Sequence, residues 1–221
     1  MLCVHGAGGG GWEWTVWRQV FEAAGVRVDS PDLQPAASGL AQTRFEHYRS
    51  QVFQALTQLP RPRALVGASL GGLLAASCAE HADALVLVNP LPPAPWHSQL
   101  PQRQWPDIVP WGTDARLTST HRALPDADDA MARLAFTHWR DESGEVLRRS
   151  HAGIRVQAPD CPVLCVASMV DDEVPPALTA ALAADWRADM IQVSAVSHVG
   201  PLLGRTAADC AARVLSWLST R

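Results

Sequence analysis

Glycines stand two residues before and two after a serine in Gly67-Ala68-Ser69-Leu70-Gly71, between an apolar run and a helix-forming one. A serine raised on so sharp a turn needs neighbours without side chains, and its hydroxyl then clears the edge of a sheet with a helix N-terminus behind it. The chemistry this allows is nucleophilic attack, for which a hydroxyl needs a base within hydrogen-bond reach. Of the eight histidines, His198 in Ser197-His198-Val199-Gly200-Pro201 fits best, because it follows the last strand-like run and so leaves the same sheet edge as Ser69. His47, His81, His97, His121, His138 and His151 fall in helices or in an irregular middle segment and read as surface or packing residues. His5, beside the first glycine, reads as a brace for its loop. Such a base is oriented by a carboxylate. Ser168-Met169-Val170-Asp171-Asp172-Glu173-Val174-Pro175 offers three acids, of which at most one can serve. Asn89 occupies the other place from which an acid could act, after Leu85–Val88.

The first loop, His5-Gly6-Ala7-Gly8-Gly9-Gly10-Gly11, admits two readings. Gly6, Gly8 and Gly11 satisfy G-x-G-x-x-G after a strand and before a helix, with Asp29 about 20 residues on, as in a dinucleotide site. That reading leaves Ser69, the acids and His198 unused. If the loop instead supplies backbone N–H groups to a developing oxyanion, all of these act together. Ala7 N–H and Leu70 N–H are then the expected donors, and this second reading is the better one.

The elements that must position these residues alternate. Short apolar runs at Leu2–Val4, Val26–Asp29, Ala64–Ala68, Leu85–Val88, Val163–Ala167 and Ile191–Val193 read as strands. Helical patterns lie between them: Trp12–Ala24, stopped by Gly25; Phe45–Leu59, ended by Pro60 and Pro62; Leu70–Glu80; and Pro176–Trp186. A final helix carries Cys210, Ala211, Val214, Leu215 and Leu218 on one stripe. Strands apolar throughout and separated by helices imply an α/β fold, a mostly parallel sheet of about six strands with helices on both faces. From about 90 to 160 the pattern breaks down after Asn89-Pro90-Leu91-Pro92-Pro93, with only weak helical stretches near Ala130–Trp139 and Glu145–Ile154. This reads as a small cap insertion within a single domain spanning 1–221.

The chain of 221 residues, 48% hydrophobic and 18% charged, is long enough for a substantial core. A net charge of −4 gives no sign of a nucleic-acid partner or an anionic membrane surface. No apolar run approaches the roughly 18–20 residues of a membrane span, and the start lacks a signal-peptide pattern, so the expected location is cytoplasmic. Cys3, Cys78, Cys161, Cys165 and Cys210 are odd in number and form no CxxC pair, which speaks against disulfides or zinc. Tryptophan is over-used, nine against one tyrosine, and Trp96, Trp105, Trp111 and Trp139 gather in the middle third. Trp105 and Trp139 are the expected lining of an apolar substrate pocket, the alternative being that such tryptophans anchor the insertion to the sheet domain.

HGAGGGGWEW resembles the oxyanion loop of the α/β-hydrolase family, GASLGG its nucleophile elbow, SMVDDEVP its acid loop and SHVGP its histidine loop. Asp32 in SPDL resembles the turn after the family's next strand, and the form of the first loop is similar to that of small esterases and hydroxynitrile lyases with a reduced sheet. The resemblance spans residues 5 to 201 apart from the insertion. It implies a serine nucleophile at Ser69, a base at His198 and, by matching Val174-Pro175, the acid at Asp171. Ser168 replaces the family's usual glycine, and the leading strand begins at residue 2, as in a minimal or a shortened version of the fold. The activity implied is hydrolysis of a carboxylic ester or thioester, a small-molecule substrate, through an acyl-enzyme with no cofactor. The rivals are a carbon–carbon hydrolase or lyase with the same trio, and a binding protein that keeps the scaffold without catalysis. A Lys-bearing or polar cap would favour the former, and the insertion has no lysine.

Overall fold

The computed structural model describes residues 1–221. Strands β1 (Leu2–Val4), β2 (Ala64–Ala68), β3 (Ala84–Val88), β6 (Val163–Ser168) and β7 (Asp189–Val193) form one parallel sheet in that spatial order. Two further strands, β4 (Ile108–Val109) and β5 (Glu142–Ser143), pair antiparallel within the segment between β3 and β6.

The three strands β1 to β3 and Val163–Ala167 of β6 carry no polar side chain because each face covers its own core, whereas the edge strand β7 includes Asp189 and Gln192 and is mostly exposed. Leu2, Val4, Leu65, Leu85, Leu87, Val163 and Cys165 point into one cluster, while Cys3, Val66, Val86, Val88, Leu164 and Val166 point into the other. The first core is closed by α2 (Phe45–Gln58), α3 (Leu70–Ala76) and α7 (Pro176–Trp186), the second by α1 (Thr15–Ala23) and α9 (Ala207–Leu218). Helix α3 is buried at all seven positions, as its lack of a polar face requires. Burial pushes the thiols of Cys3, Cys165 and Cys210 up to about 12, so they act as small hydrophobes. No helix is long and apolar enough to cross a membrane.

The sheet has five strands, not six. Val26–Asp29 contributes a single bridge to Leu2, in which Cys3 N–H donates to Asp29 O at 2.8 Å and Asp29 N–H to Met1 O at 2.9 Å. The bridge stops there because β1 runs straight into the glycine loop and Pro31, two residues beyond Asp29, has no N–H to offer. Two expected helices are also shorter. The first opens with a 3₁₀ turn over Gly11–Trp14 before α1, and α3 ends at Ala76.

Between β3 and β6 the chain is more regular than its sequence pattern. It holds α4 (Leu117–Ala123), which the sequence reading lacks, α5 (Asp129–His138) and α6 (Gly144–His151). Its anchor is Glu142, whose buried carboxylate accepts from Tyr48 Oη at 2.9 Å, Gly8 N–H at 3.0 Å and Ser143 N–H at 2.7 Å. Three donors on one carboxylate offset much of the cost of burying it. The chain then ends through α8 (Gly200–Leu203) and α9.

Candidate active site

Ser69 is the residue between β2 and α3, at φ +53°, a conformation few side chains adopt and one that lifts its hydroxyl out of the sheet. The flanking glycines are required by contact. A Cβ on Gly67 would lie 2.2 Å from Gly71 O, and one on Gly71 would lie 2.3 Å from Val4 O. The turn is held by Ser69 N–H donating to Val88 O at 3.0 Å.

His198 and Asp171 come from the loops after β7 and β6, so all three residues stand at the C-terminal edge of the parallel sheet, where open α/β sheets build their sites. His198 Nδ1 lies 2.7 Å from Asp171 Oδ2. The other carboxylate oxygen, Oδ1, accepts Glu173 N–H at 2.8 Å and Val174 N–H at 3.0 Å. Asp172 is exposed, so of the three acids in the loop it is Asp171 that meets the imidazole. Burial by itself would lower the proton affinity of His198, but the bond to Asp171 and the charges of Asp171, Glu173 and Glu13 outweigh it, and the pKa lies above the ordinary histidine value. No hydrogen bond spans Ser69 Oγ and His198 Nε2; both side chains face one cavity of about 670 Å³.

Backbone donors flank the serine. Ala7 N–H and Leu70 N–H meet no acceptor within the protein, whereas the amides on either side of Ala7 are taken. Gly6 N–H donates to Glu13 Oε2 at 3.1 Å, Gly8 N–H to Glu142 and Gly11 N–H to Asp32 Oδ1 at 2.7 Å. Those carboxylates occupy the amides a dinucleotide pyrophosphate would need and would repel it, which disposes of the dinucleotide reading. His5 braces the loop, Nδ1 to Gly6 O at 2.7 Å, with Nε2 accepting Leu33 N–H at 2.9 Å. Burial pushes its pKa down to about 4, so it stays neutral.

Several residues to which the sequence reading gave no part in the site complete the arrangement. Asn89, at φ +41°, donates through Nδ2 to His198 O at 2.7 Å and to Ser168 Oγ at 2.8 Å. Ser168 Oγ donates in turn to Ser197 O at 2.8 Å, so serine in place of glycine ties the acid loop to the histidine loop. Asp126, from the 90–160 segment, accepts Val196 N–H at 2.9 Å and Ser197 Oγ at 2.8 Å. Arg140 donates to Gly9 O at 2.6 Å and Nη2 contacts His5 Nε2 at 3.1 Å. The polar run Arg140-Asp141-Glu142, set in an otherwise weak helical pattern, was the available signal for this anchor.

The cavity wall is mixed. Trp105, Trp111 and Trp139 line it, whereas Trp96 packs against the first core. Arg103, Arg116 and Arg122 line it as well, so the wall is less apolar than the tryptophans suggested.

A model of the alpha/beta hydrolase family matches residues 1–213. A pheophorbidase of Raphanus sativus is 37% identical over 75 residues, 31% of this chain but 28% of that protein's length. Among solved structures, polyneuridine aldehyde esterase superposes with a TM-score of 0.75 at 16% identity, covering 97% of this chain and 98% of that one. A methylesterase from Arabidopsis gives 0.74 at 14% identity over 100% of both chains. Tomato methylketone synthase I with 2-tridecanone gives 0.78 at 16%, covering 99% of this chain and 97% of that one. With the family model running through the sheet, the turn at Ser69 and the loops after β6 and β7, the chain belongs to the alpha/beta hydrolase family.

Proposed function

We propose that the protein is a serine hydrolase of small carboxylic esters or thioesters, a single domain in which residues 90–160 form a cap over the cavity. The observation that carries the reading is His198, paired with the buried Asp171, facing the same cavity as a serine held at φ +53°, with two unused amides beside it. With Nδ1–H donated to Asp171, His198 keeps Nε2 free of a proton. Ser69 Oγ attacks the carbonyl carbon as its proton passes to Nε2, and the imidazolium is stabilised by Asp171. Ala7 and Leu70 amides take the oxyanion, worth about 3–4 kcal/mol per donor. The intermediate collapses, the ester C–O or thioester C–S bond breaks, and the leaving alcohol or thiol takes the proton from Nε2. Water, deprotonated by the same imidazole, then frees the acid and restores Ser69. The absent Ser69–His198 bond is no obstacle, since such contacts often tighten only around substrate.

Labelling with a fluorophosphonate tests this. The protein should take one label per chain and hydrolyse p-nitrophenyl esters; Ser69→Ala should take none and lose turnover by at least about 10³-fold with its melting temperature unchanged. Stoichiometric labelling of the alanine variant would overturn the assignment. The arginines on the cap side favour one second reading, carbon–carbon cleavage of a substrate bearing an anionic group. Product analysis separates the two, since only ester cleavage releases an alcohol or thiol.

A further inference from the structure

Glu13 is the one acid in the aromatic turn Trp12-Glu13-Trp14, and it is 2% exposed. The residue lines the cavity that holds Ser69 and His198. The glycine loop is wrapped around it: a Cβ on Gly9 would lie 2.0 Å from Glu13 Oε1. Oε2 accepts Gly6 N–H, while Oε1 makes no hydrogen bond. A carboxylate with one neutral donor is an expensive way to hold one amide, because burial penalises the charge and a neutral amide oxygen would accept the same bond. The charge therefore calls for a reason beyond the fold. His198, from the loop after β7, lines the same cavity and supplies one: the Glu13 charge raises the proton affinity of the imidazole, and the imidazolium lowers that of Glu13.

We propose that Glu13 is a positioning residue with two actions: it fixes the oxyanion loop through Gly6 N–H, and its negative charge strengthens His198 as a base. The inference rests on the serine-hydrolase reading for its consequence in turnover, though not for its electrostatics. When His198 takes the serine proton, the imidazolium faces Asp171 on one side and Glu13 across the cavity, so the second charge favours the protonated form. The other charged groups around Glu13 are Arg140 from the cap, which favours its ionised form, and Asp32, which opposes it; His198 in turn faces Glu173 as well as Asp171. Burial is the largest influence on Glu13 and, against Gly6 N–H, His198 and Arg140, leaves its pKa pushed up to about 7. The charge is thus about half formed at neutral pH and fully formed above it, where a neutral His198 is needed.

Glu13→Gln tests the idea, because its amide oxygen can still accept Gly6 N–H while the charge is gone. The sign is fixed: without the anion His198 binds its proton less tightly. In the NMR titration of the His198 ring, the midpoint should move to lower pH in the variant. The acid limb of kcat/KM against pH for ester hydrolysis should move the same way, so the activity at pH 6 relative to pH 8 rises. A purely structural role would lower activity equally at all pH values and leave both midpoints in place, and that result would overturn the proposal. The ring titration needs no turnover, so a failure of the esterase reading and a failure of this one are read separately. Should Glu13→Gln not fold, the unaltered protein carries the test: the His198 ring shift should follow two coupled steps, one near pH 7 from Glu13, and a single step would overturn the proposal.

Discussion

Adjacent carboxylates in Asp171-Asp172 have opposite fates, and the difference lies in one backbone step. Asp171 Oδ1 is spent on two amides of its own loop and Oδ2 on His198 Nδ1. In Asp171→Asn the side-chain oxygen is needed by the Glu173 and Val174 N–H groups, which turns the NH₂ toward the imidazole. Nδ1 must then accept, Nε2 carries the proton, and the serine loses its base. Turnover of a p-nitrophenyl ester should fall by on the order of 10⁴, as for the wrong tautomer in a serine protease. Asp172→Asn, at an exposed position, should lose about tenfold or less. The reverse pattern would put the triad acid one residue on. The sequence could bring the acid this far because strand ends and chain order restrict it to one loop. Glu13 was not legible in the same way: an acid between tryptophans after a glycine run looks like an ordinary helix start, and only the folded loop shows its carboxyl turned inward.

Strands and helices around the two cores were legible because each carries its own reason to form: apolar runs where both sheet faces are buried, a small-residue helix where the elbow packs. What failed was local. Val26–Asp29 has strand composition but a partner only three residues long, and α4 has no periodic stripe, as only Thr120 of its residues is buried. Neither a partner's length nor a contact with the distant Trp139 is written in a local window. The loop that carries the histidine is likewise held from afar, by Asn89 and Ser168 at the ends of β3 and β6 and by Asp126 from the 90–160 segment. Asp126→Ala removes the acceptors of Val196 N–H and Ser197 Oγ, each bond to a charged group being worth about 1.5–3 kcal/mol. The melting temperature should drop, and kcat should fall about tenfold with KM nearly unchanged, since the lost contact positions His198 rather than substrate. A variant with wild-type kcat would mean that Asn89 and Ser168 hold the loop unaided.

On the scale of the whole molecule, the 90–160 segment is fastened to the parallel-sheet body at both sides of the cavity, by Arg140 and Glu142 to the glycine loop and by Asp126 to the loop of His198. Its tryptophans divide between fastening and lining. Trp139 donates Nε1–H to Thr120 Oγ1 at 3.2 Å, meets Trp12 edge-on at 5.3 Å and packs on the second core. Trp105 meets Trp111 and His151 edge-on, at 5.8 and 5.7 Å, under the Arg103 guanidinium; Arg148 holds its carbonyl at 2.7 Å, but its indole Nε1–H has no acceptor. The sequence placed both in one category because it shows neither partner. Removing an anchored indole leaves an unfilled space in the core, which costs about 3–5 kcal/mol for a fully buried one and less at a half-buried site. Removing a lining indole mainly enlarges the space open to the acyl chain. Trp139→Ala should therefore lower the melting temperature several degrees more than Trp105→Ala. Trp105→Ala should shift the preferred p-nitrophenyl ester toward longer or bulkier acyl groups, with the melting temperature close to that of the parent. Equal loss of stability in both variants, with the chain-length preference unmoved, would make Trp105 a fastening residue too and leave the arginine side of the cavity to set specificity.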